Sequence, residues 1–111
     1  MKISVLDSWA ILGWITGQQS ALRAVRQLLA EAEHGIARLF MSAINVGEVY
    51  YVLRKQQMSE IAESWYSSAP AMPVTIEVPT MNDIWTAARL KASFPIAYAD
   101  AFAAALAQKH D

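Results

Sequence analysis

An α/β domain, a small parallel sheet flanked by helices, is the fold this sequence predicts. Three observations predict it. Short β-type runs alternate with longer helical segments in the order strand, helices, strand, helices, strand, helices, the pattern of parallel strands joined by right-handed crossovers. The first run, Lys2 to Leu6, stops abruptly at Asp7–Ser8, as a first strand buried on both faces does. The chain has 111 residues, 55% of them hydrophobic, which suits one domain.

Taken in order, Trp9 to Ile15 reads as a short helix broken around Thr16–Gly17. Ser20 is the expected cap of a second helix, Ala21 to His34. Its Leu22, Val25, Leu28, Leu29 and Ala32 recur every three or four residues and form one core-facing stripe. Gly35 suits the position just past its end. Ile36 to Met41 is the second strand. Ser42 then stands where an N-cap belongs, opening a helix from Ala43 to Gln57. Ser59 is expected to cap a shorter helix, Glu60 to Ser67, and Pro70 and Pro73 punctuate the loop beyond it. The β-branched run Val74 to Val78 is the third strand. Thr80, with Asp83 three residues on, makes a capping box for a helix through Ala92. After Pro95 the last helix runs from Tyr98 to Lys109. The chain ends directly after it, where a further strand is expected. The expectation is a single domain, residues 1–111, without its C-terminal strand.

Composition excludes several classes of function. Charged residues are 17% of the chain and the net charge is −1, with no block of like charges. A global basic field for nucleic acid is therefore absent, and any attraction to RNA or DNA has to be local or mediated by metal. The sparse charge also implies uncharged surface suited to a protein partner. There is no cysteine, so disulfides and thiolate zinc sites are excluded. No apolar run approaches the ~20 residues of a membrane span, and no signal-peptide core of ~7–15 residues precedes Asp7. A cytoplasmic protein with no membrane association is the expectation.

Three acids stand out among apolar neighbours: Asp7 after the first strand, Glu48 one turn into the helix after the second, and Asp100 in the first turn of the last helix. Functional groups of open α/β sheets gather beyond the carboxyl ends of strands, and a carboxylate among apolar residues is costly unless something positive neutralises it. Asn45 and Glu48 are three apart and share a helix face. Hard oxygen ligands without Cys or His suit Mg²⁺ or Mn²⁺, which can activate water and stabilise a phosphoryl transition state. Each acid also has a plainer explanation. Asp7 can cap the helix starting at Ser8–Trp9, Glu48 can pair with a surface Lys or Arg, and Asp100 can simply favour the helix dipole. Their joint placement is what points to a site.

The segments Val5-Leu6-Asp7-Ser8-Trp9-Ala10, Ser42-Ala43-Ile44-Asn45-Val46-Gly47-Glu48-Val49-Tyr50-Tyr51 and Tyr98-Ala99-Asp100-Ala101-Phe102-Ala103-Ala104-Ala105-Leu106-Ala107 resemble the PIN domain. More narrowly, they resemble the VapC toxins of bacterial and archaeal toxin–antitoxin pairs. The resemblance runs through the whole chain in the right order. It implies a three-layer PIN-like fold and a metal-dependent endoribonuclease hydrolysing RNA phosphodiester bonds. In it Asp7, Glu48 and Asp100 hold Mg²⁺ (or Mn²⁺), with Ser8, Ser42 and Asn45 in supporting or substrate-positioning roles. It also implies inhibition by a VapB-type antitoxin, and a homodimer, with Trp9, Trp14, Tyr50, Tyr51 and Leu53 as candidates for the antitoxin groove. The family usually carries a fourth acid in a Thr-Gly-Asp type motif after the next strand; this chain ends at His110–Asp111 without it. The competing expectation is a non-catalytic PIN-like binding module or an inactive truncated toxin.

The remaining candidates read as structural. Trp65 and Trp85 are expected in the core, and Arg54, Arg89 and Lys91 on solvated surface. His34 and His110 lack partners at metal spacing, and the four glycines are too scattered for a phosphate-binding loop.

Overall fold

Three strands, β1 (Lys2–Val5), β2 (Ala37–Ser42) and β3 (Thr75–Glu77), form a parallel sheet in that spatial order. They are seen in a computed structural model that describes all 111 residues. The register sets Val5 beside Phe40 and Ser42 beside Glu77, so the three carboxyl ends share one edge. Between and after the strands come α1 (Ser8–Thr16), α2 (Gln19–Glu33), α3 (Ala43–Lys55), α4 (Ser59–Ser68) with a 3-10 turn at Ala69–Ala71, α5 (Met81–Ser93) and α6 (Tyr98–His110). No helix is long and apolar enough to cross a membrane.

Alternation along β2 divides the helices between two layers. Leu39 and Met41 join the main core, which holds Leu6, Ile11, Val25, Val49, Leu53 and Trp65 from α1 to α4 and the end of β1. Phe40, on the opposite face, is stacked by the ring of His110 from α6, with centroids 3.7 Å apart. Arg38, two residues back, lies over the Phe40 ring at 5.1 Å. A smaller core of Ala87, Ala101, Phe102 and Ala105 joins α5 to α6. The small side chains of α6 let it approach both α5 and the sheet. Removing a large buried side chain such as Leu39 or Leu53 costs about 2–5 kcal/mol.

Local signals place most of the boundaries. Ser42 accepts from the Ile44 amide at 3.2 Å and caps α3. Thr80 and Asp83 form the reciprocal capping box at 3.1 and 2.9 Å. Gly35 turns the chain out of α2 at φ +74°, left-handed backbone that glycine adopts without strain.

Three expectations are corrected. Ser20 does not cap α2, which begins at Gln19 with no side-chain cap. The Gln18 amide is already bonded to Gly13 at 2.8 Å, and Gly13 lets the two helices meet so closely that a β-carbon there would fall 2.6 Å from that of Ala21. Ser59 likewise lies inside α4, which Met58 precedes without a cap bond. Trp85 is 57% exposed, because the inward stripe of α5 is Ile84, Ala87 and Leu90, and position 85 is turned ~100° away from position 84. His110 belongs to no group of three or more potential metal ligands, and its Nε2 pairs instead with Glu77 Oε2 at 2.8 Å.

Candidate functional site

Asn45 is the residue around which the candidate site is built. It lies in the first turn of α3, placed there by the Ser42 cap, and it is fully buried. Its side-chain amide donates to Ser8 Oγ at 3.1 Å and to the Ala99 carbonyl at 3.0 Å. Ser8, itself buried, donates back to the Asn45 carbonyl at 3.4 Å. One side chain thus ties the start of α1, the first turn of α3 and the start of α6 together. Asp7 and Asp100 are the sequence neighbours of the residues it grips, and Glu48 is one turn farther along α3.

Each carboxylate can be followed atom by atom. Asp7 has extended backbone and N-caps α1, accepting from the Ala10 amide on Oδ1 at 2.8 Å. The capping explanation of Asp7 is therefore correct, and it leaves the second oxygen without a protein donor. Asp100 is partly buried and accepts from the Ala97 amide on Oδ2 at 3.3 Å. Glu48 is partly buried and has no ion pair; its Oε1 is buried without a hydrogen-bond partner, as is Asn45 Oδ1. The surface-pairing explanation of Glu48 does not hold. A buried oxygen left without a donor costs about 1–3 kcal/mol, more when charged.

These oxygens suit a hard cation in their chemistry, but they do not close around one. No three Asp, Glu or His side chains converge into a set able to hold a metal ion alone. The residues fit an ion of the Mg²⁺ kind, which is bound through one or two carboxylates and keeps several waters for substrate oxygens to replace. Ser42, also buried, is occupied in capping α3. It faces a small cleft with Glu77, Pro79, Asp83, Phe102 and Leu106 rather than the Asn45 junction.

That cleft holds the acids which sequence reasoning passed over as functional candidates. Glu77 ends β3 and meets His110, and Asp83 meets Lys109 at 3.5 Å. The Thr80 backbone amide, then the Thr80 hydroxyl and Lys109, hold the Asp83 carboxyl below its usual range. No local signal marks the Glu77–His110 pair, whose members are 33 residues apart. A separate groove of about 470 Å3 opens between α3, α4 and β3, lined by Val46, Tyr50, Trp65, Tyr66, Pro70 and Ile76 among others. At its mouth Arg54 joins the Tyr50 hydroxyl and the Glu63 carboxylate. Of the aromatic residues expected in an antitoxin groove, Tyr50 lines this one, while Trp9 and Tyr51 are exposed. Leu53 is core instead, because it falls on the buried face of α3 with Val49.

Comparison with known proteins supplies the family. The PIN domain profile matches residues 4–111. Among solved structures, the chain resembles the crystal structure of VapC20 from Mycobacterium tuberculosis, a toxin that cleaves the sarcin-ricin loop. The TM-score is 0.77 at 15% identity, covering 98% of this chain and 83% of that one. No curated protein sequence matches the chain significantly.

Proposed function

Since the chain belongs to the PIN domain family, we propose that it is a metal-dependent endoribonuclease toxin of the VapC type. Asp7, Glu48 and Asp100 would hold Mg²⁺ or Mn²⁺ in a site acting in the cytoplasm. The observation that carries this reading is the Asn45 junction. It draws three acid-bearing segments together and leaves Glu48 Oε1 buried with no protein donor. When bound, the ion supplies an activated water and charge stabilisation at the scissile phosphate. The residues of the chain do the rest. Asp7 and Asp100 each hold one oxygen in a helix-start hydrogen bond, which fixes the direction of the other. Ser8 and Asn45 lock the starts of α1 and α6 at hydrogen-bonding distance. Asn45 Oδ1 is buried without a donor, so Asn45 serves by holding the two helix starts rather than by meeting substrate. Ser42 acts at one remove, by capping the helix that carries Asn45 and Glu48.

A VapB-type antitoxin and a second copy of the chain are the proposed partners. The exposed Trp9, Tyr51, Tyr66 and Trp85 support apolar contacts with other proteins. One observation favours a second reading, a non-catalytic PIN-like binding module: the three acids do not converge into a metal-holding set unaided. Cleavage of RNA by the purified chain in Mg²⁺ or Mn²⁺, with EDTA and Asp7→Asn as controls, separates the two. The nuclease loses cleavage in both controls, and Asp7→Asn relieves growth arrest. Cleavage that survives EDTA and Asp7→Asn sinks the metal mechanism. A wild-type chain that never cleaves, and differs from Asp7→Asn only in binding a partner, is the module.

A further inference from the structure

Two cavities on α2 run into each other. The larger, about 370 Å3, lies between α1, α2 and α4, where Trp14, Ile15, Leu22, Ile61 and Trp65 give it apolar walls. The smaller, about 280 Å3, lies over the first turns of α2, lined by Gln19, Leu22, Arg23 and Arg26. Leu22 and Arg26 line both, so the two form one groove with an apolar end and a basic end. No Asp or Glu lines either part. The basic end is also uncompensated. The chain has nine Lys and Arg, and Lys2, Arg38, Arg54, Lys55, Lys91 and Lys109 each meet a carboxylate, a carbonyl or a ring. Arg23 and Arg26 are exposed and have no such partner. They stand three apart on one helix face, where like charges repel. The first turn of α2 carries no acid and no side-chain cap, so the positive end of its dipole adds to theirs.

We propose that this groove takes an acidic amphipathic helix of a protein partner, a role that rests on the partner in the reading above and not on cleavage. Apolar side chains of the partner fill the space between Ile15, Leu22 and Ile61, as a helix laid in a groove does. Its carboxylates meet Arg23 and Arg26, whose planar guanidinium groups match a carboxylate in two-point contacts. Charge complementarity decides the chemistry of the occupant. The groove beside Tyr50 and Tyr66 lacks this demand, because Arg54 at its mouth already meets Glu63. RNA is the poorer fit: two cations make no track for a phosphate backbone, and the aliphatic walls offer no face for stacking a base. The groove is also separate from the acids. Trp14 and Ile15 stand in the last turn of α1, whereas Asp7 caps its start.

The test is fluorescence anisotropy of the full chain with two fluorescein-labelled helical peptides. Both carry leucine at every third or fourth position; one has glutamate at the flanking positions and the other has lysine. Wild type is expected to bind the glutamate peptide, less tightly as salt rises, and not the lysine peptide. The double variant Arg23→Glu, Arg26→Glu is expected to weaken the glutamate peptide about 3- to 30-fold and to admit the lysine peptide, a gain that an unfolded chain does not show. Ile61→Asp, at the apolar end, is expected to weaken the glutamate peptide about 10-fold. The proposal is overturned if wild type binds neither peptide or both equally, or if the double variant binds as wild type does. It is also overturned if the double variant instead loses binding to a labelled single-stranded RNA in EDTA, or if it converts a wild-type dimer to monomer in sedimentation. Cleavage of RNA in Mg²⁺ or Mn²⁺ is read separately and is expected to be equal in wild type and the double variant. Peptide binding without any cleavage removes the nuclease reading and keeps the groove. Cleavage without peptide binding does the reverse.

Discussion

Asp83 and Glu77, near the end of β3, are satisfied by their own chain. The Asp83 carboxylate accepts a hydrogen bond from the Thr80 amide and an ion pair from Lys109, the Asp83 amide donates in return to the Thr80 hydroxyl, and Glu77 meets His110. Asp7, Glu48 and Asp100, around the start of α1 and α6, have no Lys, Arg or His within salt-bridge reach. Acids of both kinds sit near the carboxyl edge of one small sheet, so position alone does not distinguish them. The distinction lies in what each oxygen meets. A satisfied carboxylate stabilises the fold, whereas a partly buried one without a cation lowers stability until something positive arrives. The segments that carry the second group are joined by an uncharged side chain, Asn45, through Ser8 and the Ala99 carbonyl, and that junction brings no positive charge to the acids.

The comparison can be broken most directly at Asp7. Asp7→Asn is expected to take RNA cleavage to background. Asparagine caps helices about as well as aspartate, so thermal unfolding should move by no more than the equivalent of a few tenths of a kcal/mol. A large fall in Tm would mean that the charge serves the fold and that the two regions do not differ. Asn45→Ala comes next: it removes both bonds to α1 and α6, and a loss of about 1–3 kcal/mol in urea unfolding is expected, together with reduced cleavage. Full cleavage by that variant would show that the junction does not order the acids. On the satisfied side, Thr80→Ala should cost about 1 kcal/mol by the same measurement and leave cleavage as in wild type. The smallest effect is expected of Asp83→Asn, read as stability against pH. Because the folded carboxyl of Asp83 titrates below its unfolded value of 3.8, its charge contributes stability above that pH. That contribution fades as pH falls through the lower folded value. Wild type and variant should therefore converge in acid, and a gap that widens there would reverse the assignment.

How much of this was legible in the sequence follows from distance along the chain. The Ser42 cap and the Thr80–Asp83 box span three residues or fewer, and local residue types announce them. The three strands and their order with the helices follow from apolar runs. The three acids were visible because each sits where a run stops or a helix starts. What the sequence did not disclose is long-range. Asn45 reaches Ala99 across 54 residues and Glu77 reaches His110 across 33, and nothing in either segment names the other. Ser20 failed as a cap because a tertiary contact, Gly13 against Ala21, decides where α2 begins. Trp85 failed as core because its neighbours Ile84 and Ala87 already fill the inward stripe. Neighbouring positions on a helix face different directions, so hydrophobicity alone does not place such a residue.

The bond from Asn45 to Ala99 also orders events in time. Contacts that join distant parts of a chain form only after the intervening loop has been closed, and chains grow from the N-terminus during synthesis. Asp7 and Glu48 are made early, but the carbonyl that completes their junction belongs to the last helix. A ribosome partway through this message therefore carries a chain whose acids are not yet gathered. If the chain cuts RNA, the fold itself delays that ability until α6 has been made and has docked.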